Sequence, residues 1–212
     1  MNRVTVFRTP PRIVMGPGAL KQLVDEIRQL KGKKVLFVTD KGVLAAGLLE
    51  PAQKALESAQ IDYAVFDEVE PDPRYEIVAE CVKMVEQEKA DLLIGFGGGS
   101  PIDIAKATAI MVTNNGSVAD YFGIDLVPNR GLPTIIVPTT AGTGSEVTPI
   151  VILSDEGEKL KKGIVTPYLF PSVALLDPEL TLGLPPDSPH MPGQTPGRAA
   201  SLPRLRRRTG RS

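Results

Sequence analysis

Residues 95–106 read GFGGGSPIDIAK, directly behind the apolar run ADLLI at 90–94. A chain that leaves a buried strand through four glycines, a serine and a proline has removed nearly every side chain from the turn. In an open parallel sheet, ligands seat beyond the carboxyl ends of the strands, and an anion there is held by main-chain N–H groups opening the next helix. Side chains would keep a phosphate away, so Gly97, Gly98 and Gly99 permit close approach and positive φ. Ser100 is the expected N-cap, Pro101 suits the first turn, and Asp103 stands where the acid of a capping box falls. The helix beyond, IAKATAIMV at 104–112, is apolar almost all round and is expected to be buried.

The turn by itself is a limited signal. Gly95-x-Gly97-x-x-Ser100 lacks the third glycine of the dinucleotide fingerprint, and no Gly-Lys-Ser/Thr follows to make a P-loop. A second loop strengthens it: PTTAGTGSEVT at 138–148 follows another apolar strand and presents Thr139, Thr140, Thr143 and Ser145 around two glycines. The plainer reading of such hydroxyls is local backbone satisfaction. Asp40 closes the strand KVLFVTD, where a carboxylate can accept both hydroxyls of an adenosine ribose and repel a 2′-phosphate. In the common fingerprint the acid follows the glycines by about 20 residues. Here it precedes them, which marks a different order of nucleotide-binding parts.

Working outward, strands and helices alternate. KVLFVT at 34–39, IDYAVF at 61–66, ADLLIGF at 90–96 and LPTIIVP at 132–138 are apolar runs expected to be covered on both faces of a parallel sheet. A β-rich start is expected at Val4–Phe7, and a helix after Pro17 with Leu20, Leu23, Val24, Ile27 and Leu30 on one face. Residues 48–59 read as a helix, as do 73–88, with Asp72 as cap and Pro73 at the first helical position. TPIVILS, DEGEK and KKGIV form a hairpin pattern, and SVALLD at 172–177 reads as one more buried strand. The sum is an α/β protein with a doubly wound, mostly parallel sheet and a β-hairpin insertion.

The composition sets the rest. No run of about 18 apolar residues and no signal-peptide pattern occur, so no membrane partner is expected and a cytoplasmic location is. The single cysteine, Cys81, lies at helical spacing with Ile77 and Val85 and reads as a core residue. Residues 187–212 carry six arginines against Asp187, while the remainder has 18 basic and 24 acidic residues.

Together, GGGSPIDIAK at 97–106, PTTAGTGSE at 138–146 and PRIVMGPGAL at 11–20 resemble the iron-containing (group III) alcohol dehydrogenases, and the likeness covers about residues 4–186. The resemblance implies a Rossmann-like domain that binds NAD, followed by an all-helical domain holding iron or sometimes zinc. It places Gly97, Gly98, Gly99 and Ser100 on the pyrophosphate, with Asp103 supporting that turn. It sets Thr139, Thr140, Thr143 and Ser145 along the adenine and nicotinamide-ribose side, Lys162 near the nicotinamide ribose, Leu180 near the adenine, and makes Asp40 favour NAD over NADP. The implied reaction is hydride transfer between a small alcohol or aldehyde and the nicotinamide, with the metal as Lewis acid. Members often pair through their N-terminal strands, so a homodimer or other self-association is expected.

The sequence also departs from that family. The family's metal ligands, an aspartate and usually three histidines, follow the point where this chain reads LGLPP at 182–186, and here none do. The one histidine, His190, is a lone imidazole and makes no metal site, so no metal ligand and no catalytic residue are assigned. Residues 1–186 read as the dinucleotide-binding domain, and 187–212 as a basic tail rich in Pro, Gly and Arg that is expected to be disordered. The abrupt change after Pro186 reads as a frameshifted or truncated coding sequence. The expected consequences are weak NAD binding, no turnover by the chain alone, and exposed apolar surface. The alternative is a non-catalytic nucleotide-binding module or a degenerate remnant. A nucleic-acid partner is not assigned, because the tail has no aromatic residue for stacking.

Overall fold

The computed structural model describes residues 5–182. The elements run β1 (Ile13–Met15), α1 (Leu23–Gln29), β2 (Lys34–Val38), α2 (Lys41–Ala45), α3 (Glu50–Ser58), β3 (Asp62–Phe66) and α4 (Glu76–Glu88). They continue with β4 (Leu92–Gly97), α5 (Gly99–Met111), β5 (Gly123–Ile124), β6 (Thr134–Pro138), β7 (Ile150–Asp155), β8 (Leu160–Val165) and β9 (Val173–Leu176). Six strands form one parallel sheet in the order β1-β9-β6-β4-β2-β3. A smaller sheet has the order β5-β8-β7, with β7 and β8 antiparallel, so the expected hairpin is present and β5 extends it.

Side-chain alternation explains why the sheet needs helices on both faces. Leu36, Val38, Leu93 and Ile136 point into a core shared with α4 and α5. Val35, Phe37, Leu92, Ile94, Phe96, Ile135 and Val137 point into a second core built with α1, α2 and α3. Each central strand supplies both cores, which is why β2, β4 and β6 read as uninterrupted apolar runs. The run at 61–66 does not behave this way: β3 is the sheet's edge, and its residues before Phe66 are only partly covered or exposed. Cys81 lies fully buried on α4, as its spacing predicts.

Three local expectations are corrected. Thr5–Phe7 is not a strand, and Val6 and Phe7 are exposed; the first strand lies at Ile13–Met15, where β9 offers a partner in the register Ile13↔Ala174. The helix expected at 73–88 starts at Glu76, and Asp72 does not cap it. Residues 73–75 instead pair with the hairpin: the Ser154 amide donates to the Pro73 carbonyl at 2.9 Å and the Tyr75 amide to the Ser154 carbonyl at 3.1 Å, while Asp72 meets Lys161. A long-range ladder here outweighs a local cap. Finally, helix α5 starts at Gly99 with Gly98 as its cap, so Ser100 lies within the first turn, and Asp103 makes no capping box. The tail from 187 onward lies outside the described residues.

The small sheet leaves Ile124, Ile150 and Ile152 on one face with 72%, 37% and 46% exposure. No helix among the described residues is long and apolar enough to cross a membrane.

The close approach of α5 to β4 rests on Gly95. A β-carbon there would lie 2.8 Å from Ile136 Cδ1, 3.0 Å from Ala105 Cβ and 3.3 Å from Ile102 Cα, all below or at the limit of ordinary contact. Gly95→Val is therefore expected to lower the unfolding free energy by about 1–3 kcal/mol, the usual cost of overpacking, in urea denaturation followed by circular dichroism.

Candidate functional site

The chain steps from β2 outward to β3, returns to β4, and then moves the other way through β6 and β9. The reversal lies between β2 and β4, and a crevice opens beyond the carboxyl ends of strands at such a point. Asp40 follows β2 and Gly97 ends β4, so the two meet there. Asp40 caps α2, with Oδ1 accepting the Val43 amide at 2.9 Å. Its other oxygen stands 3.5 Å from where a β-carbon on Gly97 would be. Gly97 has φ 148, and that same β-carbon would come within 2.9 Å of Pro101 Cγ, so position 97 excludes side chains on two grounds.

At Gly98 the situation differs. Its φ is −80, and a β-carbon would meet nothing closer than Thr140 Oγ1 at 3.5 Å, so the fold leaves the space open. Helix α5 has no side-chain cap, and its first turn offers the Gly99 and Ser100 amides without intrahelical acceptors. Those amides carry the positive end of the helix dipole. Backbone of this kind can seat an anion.

The second loop closes over that seat. Gly97 and Pro138 are partners in the β4–β6 register, and the Thr139 amide donates to the Gly97 carbonyl at 2.9 Å. Thr139 is buried and links the two strand ends. The Thr140 hydroxyl is buried with no hydrogen-bond partner. Thr143 Cγ2 and Ser145 Oγ lie 3.6 and 3.7 Å from a β-carbon built on Gly99, and Thr143 Oγ1 donates to Glu146 at 3.1 Å. Gly97, Gly98, Gly99, Ser100, Asp40, Thr139, Thr140, Thr143 and Ser145 are thus brought together. Leu180 is buried in the core shared with Leu20, Val43, Phe96 and Val137. Lys162 stays in the hairpin, its Nζ 2.9 Å from Asp155 and 2.8 Å from Glu158 and 5.6 Å above the Phe122 ring.

Sequence reasoning passed over Lys106. It is 1% exposed in the middle of an otherwise apolar helix, and its ammonium donates to the carbonyls of Ser145, Thr148 and Ile150 at 2.9, 2.9 and 2.7 Å. Asp103, one turn earlier, accepts the Ile152 amide at 3.0 Å instead of capping its own helix. The signal was present: a lysine in a helix that is apolar all round must find buried acceptors. Burial pushes the Lys106 ammonium down to about 8, against the opposing pull of Asp103 and Glu146. Burial raises the Asp103 carboxyl, opposed first by Lys106. Burial likewise pushes the Cys81 thiol up to about 12, so it is an inert core group.

No group of three His, Cys, Asp or Glu residues among the described residues is placed to hold a metal ion. The described residues therefore do not fit the metal that the resemblance implies. The fold and its glycine turn define a Rossmann-like α/β protein. A family model for iron-containing alcohol dehydrogenases matches residues 10–178, and the chain belongs to that family. It is 42% identical over 188 residues to a sulfoacetaldehyde reductase of Bilophila wadsworthia, a match covering 89% of this chain and 49% of the relative. Among solved structures, a 1,3-propanediol oxidoreductase superposes with a TM-score of 0.83 at 37% identity, over 86% of this chain and 48% of the other. A sulfoacetaldehyde reductase from Bifidobacterium kashiwanohense in complex with NAD+ superposes at 0.79 with 33% identity, over 87% and 49%. The chain spans about half the length of the curated relatives it matches.

The lysine's titration gives a signed test. Its ordinary value is 10.5 and its folded value about 8, so between those limits the unfolded chain binds more protons and stability rises with pH. That contribution is fully present above 10.5 and is lost as pH falls through about 8. The difference in unfolding free energy between the natural chain and Lys106→Met is expected to grow in favour of the natural chain from pH 7 to pH 9.5, by urea denaturation. Cys81 acts in both proteins and cancels.

Proposed function

We propose that this chain is the NAD-binding part of an alcohol or aldehyde oxidoreductase. The observation that carries the reading is the meeting, at the sheet's reversal point, of an unfilled backbone seat at Gly98–Ser100 with the free oxygen of Asp40 and the unpartnered hydroxyl of Thr140. The residues fit a dinucleotide. The amides of Gly99 and Ser100 hold the diphosphate, and Thr140 gives its buried hydroxyl a partner there. Asp40 accepts the adenosine ribose hydroxyls and repels a 2′-phosphate, which selects NAD over NADP. Thr139 and Leu180 flank the adenine; Thr143 and Ser145 line the nicotinamide-ribose side. Lys162 is held by Asp155 and Glu158, and its place beside that ribose rests on the family resemblance alone.

When bound, the nicotinamide supplies a hydride acceptor for an alcohol carbon, or a donor for an aldehyde. This chain's own residues bind and orient. The relatives' names, a sulfoacetaldehyde reductase and a 1,3-propanediol oxidoreductase, support a small polar alcohol or aldehyde as substrate. The lack of a metal donor set among the described residues favours a second reading, a nucleotide-binding module without turnover. On either reading the purified chain binds NADH and oxidises no alcohol. Measured alcohol oxidation by it would overturn that statement.

Gly98→Ala separates ligand from fold. The added methyl fits the protein but occupies the phosphate seat, so unfolding is expected to change by less than about 1 kcal/mol while NADH affinity in calorimetry falls at least about tenfold. Asp40→Asn, which keeps an acceptor for the Val43 amide, is expected to shrink the preference for NADH over NADPH. Unchanged NADH affinity in Gly98→Ala would reject the seat.

A further inference from the structure

Lys106 and Asp103 stand one turn apart on α5, and both reach residues 145–152. Two charged groups this deeply buried require compensation. Beyond their attraction for each other, their hydrogen-bond partners all lie on one stretch of chain. An ammonium has three N–H donors, and here each finds a carbonyl, on Ser145, Thr148 and Ile150. The carboxylate takes the next free group of the same stretch, the Ile152 amide.

From 150 onward β8 also holds that stretch, but the loop before it has little regular structure. Between Pro138 and Ile150 the only regular element is a single 3-10 turn at Ser145–Val147, and two glycines, Gly142 and Gly144, have positive φ. Yet it carries Thr140, Thr143 and Ser145, which must sit opposite Gly98 and Gly99. The helix that offers the free amides and the helix that grips the loop are the same helix. The loop is tied to α5 at 145 and 148, and β7 directly behind it at 150 and 152, so the loop's second half is held to the helix whose first turn it faces.

We propose that Lys106 and Asp103 are positioning residues for the dinucleotide, clamping the 139–148 loop against the glycine turn so that both walls of the seat exist before the ligand arrives. The proposal rests on the NAD-binding reading above. A preformed loop removes an ordering cost from binding, and a loop that is competent only part of the time weakens affinity by that fraction. The clamp touches no ligand. It acts on the nicotinamide-ribose side along Thr143 and Ser145, and leaves the adenosine-diphosphate side at Asp40, the α5 amides and Thr139–Thr140 largely alone.

The test is calorimetry on the full 212-residue chain and on Lys106→Met, with NADH, which spans both walls, and with ADP, which meets the loop only at Thr139 and Thr140, the end held by the Gly97 carbonyl, and has no part facing Thr143 and Ser145. Lys106→Met is expected to weaken NADH binding about tenfold or more and to leave ADP within about twofold. Hydrogen exchange should speed up at the amides of 139–148 and stay unchanged in β2 and β4. A purely structural lysine would move both ligands together. If the variant binds NADH as the natural chain does, or loses NADH and ADP in equal proportion, the clamp is wrong and the nucleotide seat survives. If the natural chain binds neither ligand, the nucleotide reading falls and takes the clamp with it. Should Lys106→Met not fold, Asp103→Asn keeps an acceptor for the Ile152 amide and removes the charge beside the ammonium. It is expected to give the same split in smaller measure, and an equal loss of both ligands would overturn the proposal.

Discussion

Helix α5 is packed on every side, and a helix so held must aim its free amides wherever strand β4 ends. Every residue from Pro101 to Ile110 is buried, between the central strands, α4 and the β7–β8 hairpin. Gly95 allows the close approach and Gly98 keeps the terminus open. The positive end of a helix dipole is worth most when the turn in front of it is bare and cannot drift. This one constraint orders the site. Asp40 arrives because β2 is the neighbour of β4, and the Thr139–Thr140 pair arrives because β6 is the neighbour on the other side.

The sheet itself was legible because its central strands are apolar on both faces, and that pattern survives in a single sequence. The hairpin and the βα turns were legible for a similar reason, since glycine and proline mark them by steric rule. What the sequence hid was long-range. The β1 strand depends on β9, which lies about 160 residues away in the chain, and a local β-rich reading at Val4–Phe7 could not sense that partner. Asp72 and Pro73 carry every mark of a helix start, yet Ser154 offers their backbone a ladder and the helix waits until Glu76.

The same logic separates what was seen of the site from what was missed. Gly97, Gly98 and Gly99 announce themselves by lacking side chains, and Asp40 by closing a strand. Serine's preference makes Ser100 the expected cap, but Gly98 takes that place, which leaves the Gly99 and Ser100 amides without side-chain acceptors. The spacing makes Asp103 an expected local capping acid. Its carboxylate instead crosses to Ile152, where the hairpin's amide offers a donor that the helix's own first turn does not take. A lysine inside an apolar helix signals such an arrangement, and the signal becomes specific only when the carbonyls it needs are located.

The family assignment tells which chemistry the fold has been used for, but the physical claim is narrower: two or three main-chain amides hold a diphosphate. Amide NMR during an NADH titration addresses it directly. The account predicts large, saturable shifts confined to Gly98, Gly99, Ser100 and the neighbouring Thr140, with smaller ones at Asp40. Shifts centred elsewhere, or none at saturating NADH, would contradict it.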